Sequence, residues 1–159
     1  MDNEKTLDVL NTLIEINNDR IEGYETASKE TKETELQNLF YKLIQTSQKN
    51  KAELIQEVVK LGGTPIEGTR ITGKFFRVWM DVKAALTGND RKMILDSCEY
   101  GEDVALDVYK DQLKNNFEAL TSLQQIMLQA QVLFLKADHD VVKSMRDAAA
   151  AAAASDAKE

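Results

Sequence analysis

The chain has 159 residues, with 20 Lys+Arg against 27 Asp+Glu and a single Pro, a single Cys and a single His. That length suits one domain able to bury a core; one cysteine excludes an internal disulfide, and one histidine excludes any site that needs two. The net charge of −7 lacks the basic footprint of a general nucleic-acid binder, and no run of about 18 apolar residues offers a membrane span.

The first helical segment runs from about Asn3 to Lys29, with Leu7, Leu10, Ile14, Ile21 and Tyr24 on one stripe, broadened by Leu13 and Ala27. Asn17 stands where the heptad expects an apolar residue. A second segment, from about Thr34 to Leu61, turns Leu36, Leu39, Phe40, Leu43, Leu54, Val58 and Leu61 inward, and Ser47 and Asn50 interrupt it midway. Leu61-Gly62-Gly63-Thr64-Pro65 is a helix terminator, because glycine supplies the left-handed cap and proline cannot continue the helix.

The connection over 62–89 is far longer than the usual helix–helix link of about 2–8 residues. Within it, Lys74 to Leu86 reads as a short helix, and Asp90 is placed to cap the next. That third long helix runs from about Arg91 to Asn115 and turns Ile94, Cys98, Ala105, Val108, Tyr109 and Leu113 inward, with Gly101 and Glu102 at its centre. The fourth starts near Thr121 and passes Met145. Its main stripe is Ile126, Met127, Ala130, Leu133, Phe134, Ala137, Val141 and Met145; a second, Leu128, Val132, Leu135 and Val142, follows the same spacing on the neighbouring face. A helix apolar on two faces is central or meets another protein surface. The alanine-rich tail, 148–159, is either an extension of this helix or disordered, and it offers no chemistry.

Helices of about 25 residues are about 37 Å long. A connection that carries its own short helix can travel that length, so the second and third long helices can run parallel, while the short joins imply antiparallel neighbours. The expected fold is all-α: one four-helix bundle over 1–147, with the long crossover at 62–89 between helices two and three. One long crossover in a four-helix bundle is the ferritin-like arrangement.

A di-metal carboxylate centre in such a bundle needs Glu-x-x-His on two helices. The sequence lacks it, since His139 is preceded three residues earlier by Lys136. Glu22, Glu53, Glu99 and Glu102 are the carboxylates that could form an all-oxygen site near the centre. Asn17, Ser47, Asn50 and Glu102 are expected to form a polar core layer that fixes register, with the hydroxyls of Tyr24 and Tyr109 available to satisfy it. Cys98 reads as a buried, inert thiol. His139, between Asp138 and Asp140, reads as a partly exposed contact residue. No cofactor is expected.

The crossover also concentrates charge. Residues 70–92 hold six basic side chains against Asp81 and Asp90, a local +4 inside an acidic chain. Phe75, Phe76, Arg77 and Trp79 there, with Leu128, Val132, Leu135 and His139 on the last helix, form the expected interaction surface. The partner is a protein, with a second copy of the chain the first candidate; contact with an anionic membrane surface is the weaker option.

Val9-Leu10-Asn11-Thr12-Leu13-Ile14-Glu15-Ile16-Asn17-Asn18-Asp19-Arg20 with Gly23-Tyr24, then Leu61-Gly62-Gly63-Thr64-Pro65, Cys98-Glu99-Tyr100-Gly101-Glu102-Asp103 and Ala137-Asp138-His139-Asp140 resemble a bacterial ferritin-like family of unknown function. The segment around Trp79 shares the likeness, which covers about 3–147. It implies a four-helix bundle distantly similar to ferritins and rubrerythrins, and it carries over no metal ligands because the histidine partners are absent. The expected role is a non-catalytic bundle acting through protein contacts or self-association. The alternatives are a metal-binding or oxidoreductase bundle and a small-molecule or lipid-binding one. The start Met1-Asp2-Asn3-Glu4-Lys5 lacks a signal-peptide pattern, and the expected location is the cytoplasm.

Overall fold

A computed structural model of the chain describes residues 3–68 and 74–157, the side chains of 74–76 and 157 excepted. The described residues form five α-helices and one 3-10 turn, with no strand. The helices are α1 (Asn3–Glu30), α2 (Thr34–Lys60), α3 (Lys74–Thr87), α4 (Arg91–Asn116) and α5 (Ser122–Ala157), with the 3-10 turn at Phe117–Ala119.

Local sequence sets the boundaries. At the end of α2, Gly63 N–H donates to the Val58 carbonyl and Gly62 N–H to that of Val59, both at 3.0 Å. Gly62 takes φ +78°, the left-handed conformation this closure requires. Asp90 caps α4, its carboxylate accepting from Met93 N–H at 3.2 Å.

Side-chain contacts fix the topology. Arg91 at the start of α4 reaches Glu33 at 2.8 Å and Glu35 at 2.7 Å, so α4 begins beside the start of α2. The Thr6 hydroxyl donates to the Ala119 carbonyl, so α4 ends beside the start of α1. Helices α2 and α4 therefore run parallel, and α1–α2 and α4–α5 are antiparallel hairpins. The crossover climbs along α1. Asn11 accepts from Ile66 N–H at 3.0 Å, and Asn18 donates to the Gly68 carbonyl at 2.9 Å.

Helix α3 then lies in the groove between α1 and α4, where two glycines admit it. A Cβ on Gly23 would stand 2.1 Å from the Trp79 indole, and one on Gly101 would stand 2.8 Å from a Val78 methyl. The indole meets Tyr24 edge-on at 5.1 Å, and Tyr24 stacks on Phe40 at 5.6 Å. The core falls into two apolar halves. One is built around Leu36, Phe40, Leu43, Ile94 and Cys98, the other around Leu10, Leu13, Leu54, Leu128 and Leu135.

Helix α5 corrects the expected facing. Its buried seam is Gln124, Leu128, Gln131, Leu135, Asp138 and Val142. Leu128 and Leu135, expected at an interaction surface, are core residues, and Val132 is partly buried against the same core half. Ile126, Leu133 and Phe134, expected inward, are exposed. The physical reason is that every other seam position is polar and finds a partner inside the bundle, so hydrophobicity alone selects the wrong face. The alanine tail continues α5 as helix to Ala157.

Candidate functional site

Between the two apolar halves lies a layer in which each of the four long helices supplies one polar side chain. Arg20 of α1 is 1% exposed. Its Nε donates to Glu102 of α4 at 2.9 Å and its Nη2 to the other oxygen of that carboxylate at 2.5 Å, a bidentate pair. Nη1 donates to the Ser47 hydroxyl of α2 at 2.5 Å, and Nη2 also reaches Asp138 of α5 at 3.4 Å. The guanidinium lies 5.7 Å from the centre of the Tyr24 ring. Burial opposes the charge on Arg20, but Glu102 foremost, then Tyr24 and Asp138, overrides it and raises the pKa above its ordinary value.

One turn along α1, a second layer crosses the same helices. Asn17 donates to Tyr109 Oη at 2.8 Å, and that hydroxyl donates to Gln131 Oε1 at 2.7 Å. Gln131 Nε2 then donates to the Asn50 carbonyl at 3.3 Å and to Glu53 at 3.2 Å. Asn17, Ser47, Asn50 and Glu102 are all buried. They divide between the two layers, with Ser47 and Glu102 on Arg20 and Asn17 on the Tyr109–Gln131 chain, which Asn50 joins through its backbone carbonyl alone, its buried side-chain amide having no hydrogen-bond partner among the described residues. Burial pushes the Tyr109 hydroxyl above its ordinary pKa, partly offset by the Asn17 hydrogen bond. Sequence reasoning missed Arg20, Gln131 and Asp138. The signal was the 3-4 spacing of Leu10, Leu13, Asn17, Arg20, Tyr24 and Ala27, which makes Arg20 a core position whatever its polarity.

The four candidate carboxylates have separate neighbourhoods. Glu102 is engaged by Arg20 and Glu53 by Gln131, while Glu22 lines a surface cleft and Glu99 pairs with Arg146 at 2.5 Å. A guanidinium thus stands at the bundle centre, the place where four-helix di-metal carboxylate proteins hold their metal pair. It supplies the positive charge that the buried carboxylates need. Cys98 is fully buried, and burial followed by Glu102 raises its thiol well above the ordinary value, which keeps it protonated and unreactive.

The cleft beneath the crossover lies between α1 and α3 and is lined by Glu22, Gly23, Thr26, Trp79, Val82 and Lys83 among others. Its volume of about 190 Å³ is below the ~300–1,000 Å³ usual for small-molecule sites. Of the expected interaction residues there, Arg77 is exposed and Trp79 is partly buried against Gly23 and Tyr24. The side chains of Phe75 and Phe76 lie outside the described residues. His139, 15% exposed, sits between α5 and α4, with Nε2 2.8 Å from Asp103 and 3.8 Å from Glu99.

The outer face of α5 presents Leu123 at 79% exposure, Leu133 at 68%, Ile126 at 61% and Phe134 at 45%, with Lys49 of α2 laid over the Phe134 ring at 4.1 Å. Among the described residues no helix is long and apolar enough to cross a membrane. No curated protein is similar to the chain at a significant level. A family model described as Domain of unknown function (DUF2383) matches residues 5–115, from the first turn of α1 to the last turn of α4, and the chain belongs to that family.

Proposed function

We propose that the protein is a non-catalytic four-helix bundle of ferritin-like topology that acts through protein contacts, and that its partner is a second copy of itself held against the outer face of α5. The observation that carries this reading is the exposed apolar stripe on a helix whose other face already completes the core. Leu123, Ile126, Ala130, Leu133 and Ala137 recur at alternating intervals of three and four, the spacing of a coiled-coil seam. Residues 122–135 contain no charged side chain, in a chain that is 30% charged. Two copies at −7 repel each other over most of their surface, so an uncharged segment is where they can approach without that penalty.

Antiparallel pairing suits the seam: Leu123 would face the partner's Leu133, and Ile126 the partner's Ala130, large against large at the ends and large against small within. Arg20 weighs against the alternative of a central carboxylate metal or redox site, and the modest volume of the cleft beneath the crossover weighs against a ligand pocket at that place. The lone, buried Cys98 fits a reducing compartment such as the cytoplasm. Size-exclusion chromatography with light scattering tests the proposal. The expected result is a dimer that becomes monomeric in Leu133→Asp and Ile126→Asp with helical content unchanged, since both positions are exposed. A wild-type monomer at every concentration would overturn it.

A further inference from the structure

The side chains that face each other across α4 and α5 outside the core carry a second kind of chemistry. Glu99 and Asp103 are four residues apart on α4 and so project from one face a turn apart. His139 of α5 is set against both. One ligand atom from each of the three lies within 4.8 Å of the other two. Their surroundings orient them further. His139 Nδ1 lies 3.2 Å from Asp140 Oδ1, which leaves Nε2 turned to Asp103 and Glu99. Arg146 holds one Glu99 oxygen at 2.5 Å, and it is the other that faces the imidazole at 3.8 Å. Outer partners of this kind fix the ring orientation and the carboxylate geometry of metal ligands.

Charge points the same way. Glu99, Asp103 and Asp140 place three negative charges around the imidazole. Lys136 answers Asp140 at 3.6 Å, while Arg146 is shared among Glu99, Asp96 and Asp147. We infer that Glu99, Asp103 and His139 form a binding site for a divalent transition-metal ion of the zinc type. One imidazole with two carboxylates is a donor set suited to zinc, cobalt(II) or nickel(II), with solvent filling the remaining coordination position. The site shares carboxylate and imidazole donors with a bundle-centre dimetal site but differs in place and number: it is on the flank, it uses the chain's single histidine, and it is separate from the Arg20 layer. At 100° per residue, His139 also stands on a different face of α5 from Leu133 and Ile126, so the inference is independent of self-association.

The test uses the full chain, stripped of metal with chelator and titrated calorimetrically with zinc chloride, with cobalt(II) as a spectroscopic probe. The expected result is one equivalent of zinc bound, and a visible cobalt band of low-symmetry coordination that zinc displaces. His139→Gln and Asp103→Asn should each weaken zinc binding by at least about tenfold, with helical content unchanged. Arg146→Gln should weaken it as well, because Glu99 loses the partner that orients it. Absence of stoichiometric binding would overturn the inference, leaving His139 as a polar contact of Asp103. So would binding that survives unchanged in His139→Gln, which would place the ion on other acidic groups.

Discussion

A guanidinium withdrawn from water persists where its donors are met, and Arg20 has four of its hydrogen bonds accounted for by Glu102, Ser47 and Asp138. Removing it strands two buried carboxylates. Arg20→Met is therefore expected to destabilise the fold by about 3–5 kcal/mol, read as a lower urea midpoint. Arg20→Met with Glu102→Leu and Asp138→Leu should recover most of that loss, because apolar replacement of a whole buried ion cluster is often neutral or better. A triple variant no more stable than Arg20→Met would contradict this account. In the sequence this residue is inconspicuous. Hydropathy marks it as a surface cation, and the heptad position that buries it becomes visible only when Asn17 and Arg20 are accepted as seam residues. Ser47, Asn50 and Glu102 were legible as interruptions because apolar neighbours on the same stripe surround them. Their partners on α5 were not, since Gln131 and Asp138 sit on a stripe outcompeted in hydrophobicity by the exposed one.

Among the elements, α3 depends on the absence of a side chain elsewhere. Helix propensity alone would make Gly23→Ala stabilising by about 0.8–1.0 kcal/mol. Here the new methyl would stand 2.1 Å from a rigid indole, and overpacking of this sort costs about 1–3 kcal/mol. The collision wins, so Gly23→Ala should lower stability and shift the emission of Trp79, the sole tryptophan, as α3 is pushed outward. Added to Trp79→Ala, the same substitution should be neutral or stabilising. An unshifted emission spectrum in Gly23→Ala would count against this packing. The existence of α3 was legible from its apolar composition and its terminators. Its seating was not, because nothing in a sequence says which helix a glycine opens towards.

At the scale of the molecule, chain lengths permitted the parallel course of α2 and α4, since a connection of that length can return along the bundle and the short joins cannot; the contacts of Arg91 and Thr6 fix it. Global stability should carry an alkaline limit. Burial raises Cys98 above its ordinary 9.0, and burial likewise raises Tyr24 and Tyr109 above 10.0. A raised value means the folded chain keeps protons that the unfolded chain releases. This stabilisation is complete below the unfolded-state values and is lost as pH rises from them towards the higher folded-state ones. Urea midpoints should thus fall between about pH 8 and about pH 10.5, and fall less in Cys98→Ala; equal slopes in the two proteins would exclude a part for the thiol. The Arg20 layer has one more consequence. Its cation belongs to the first hairpin and both of its carboxylates to the second, and the Tyr109–Gln131 chain is divided the same way. Each half alone would hold an electrically incomplete interior, so neither is a self-sufficient folding unit. Assembly of the bundle becomes a mutual recognition between halves, in which mismatched docking is rejected by charge before packing is complete.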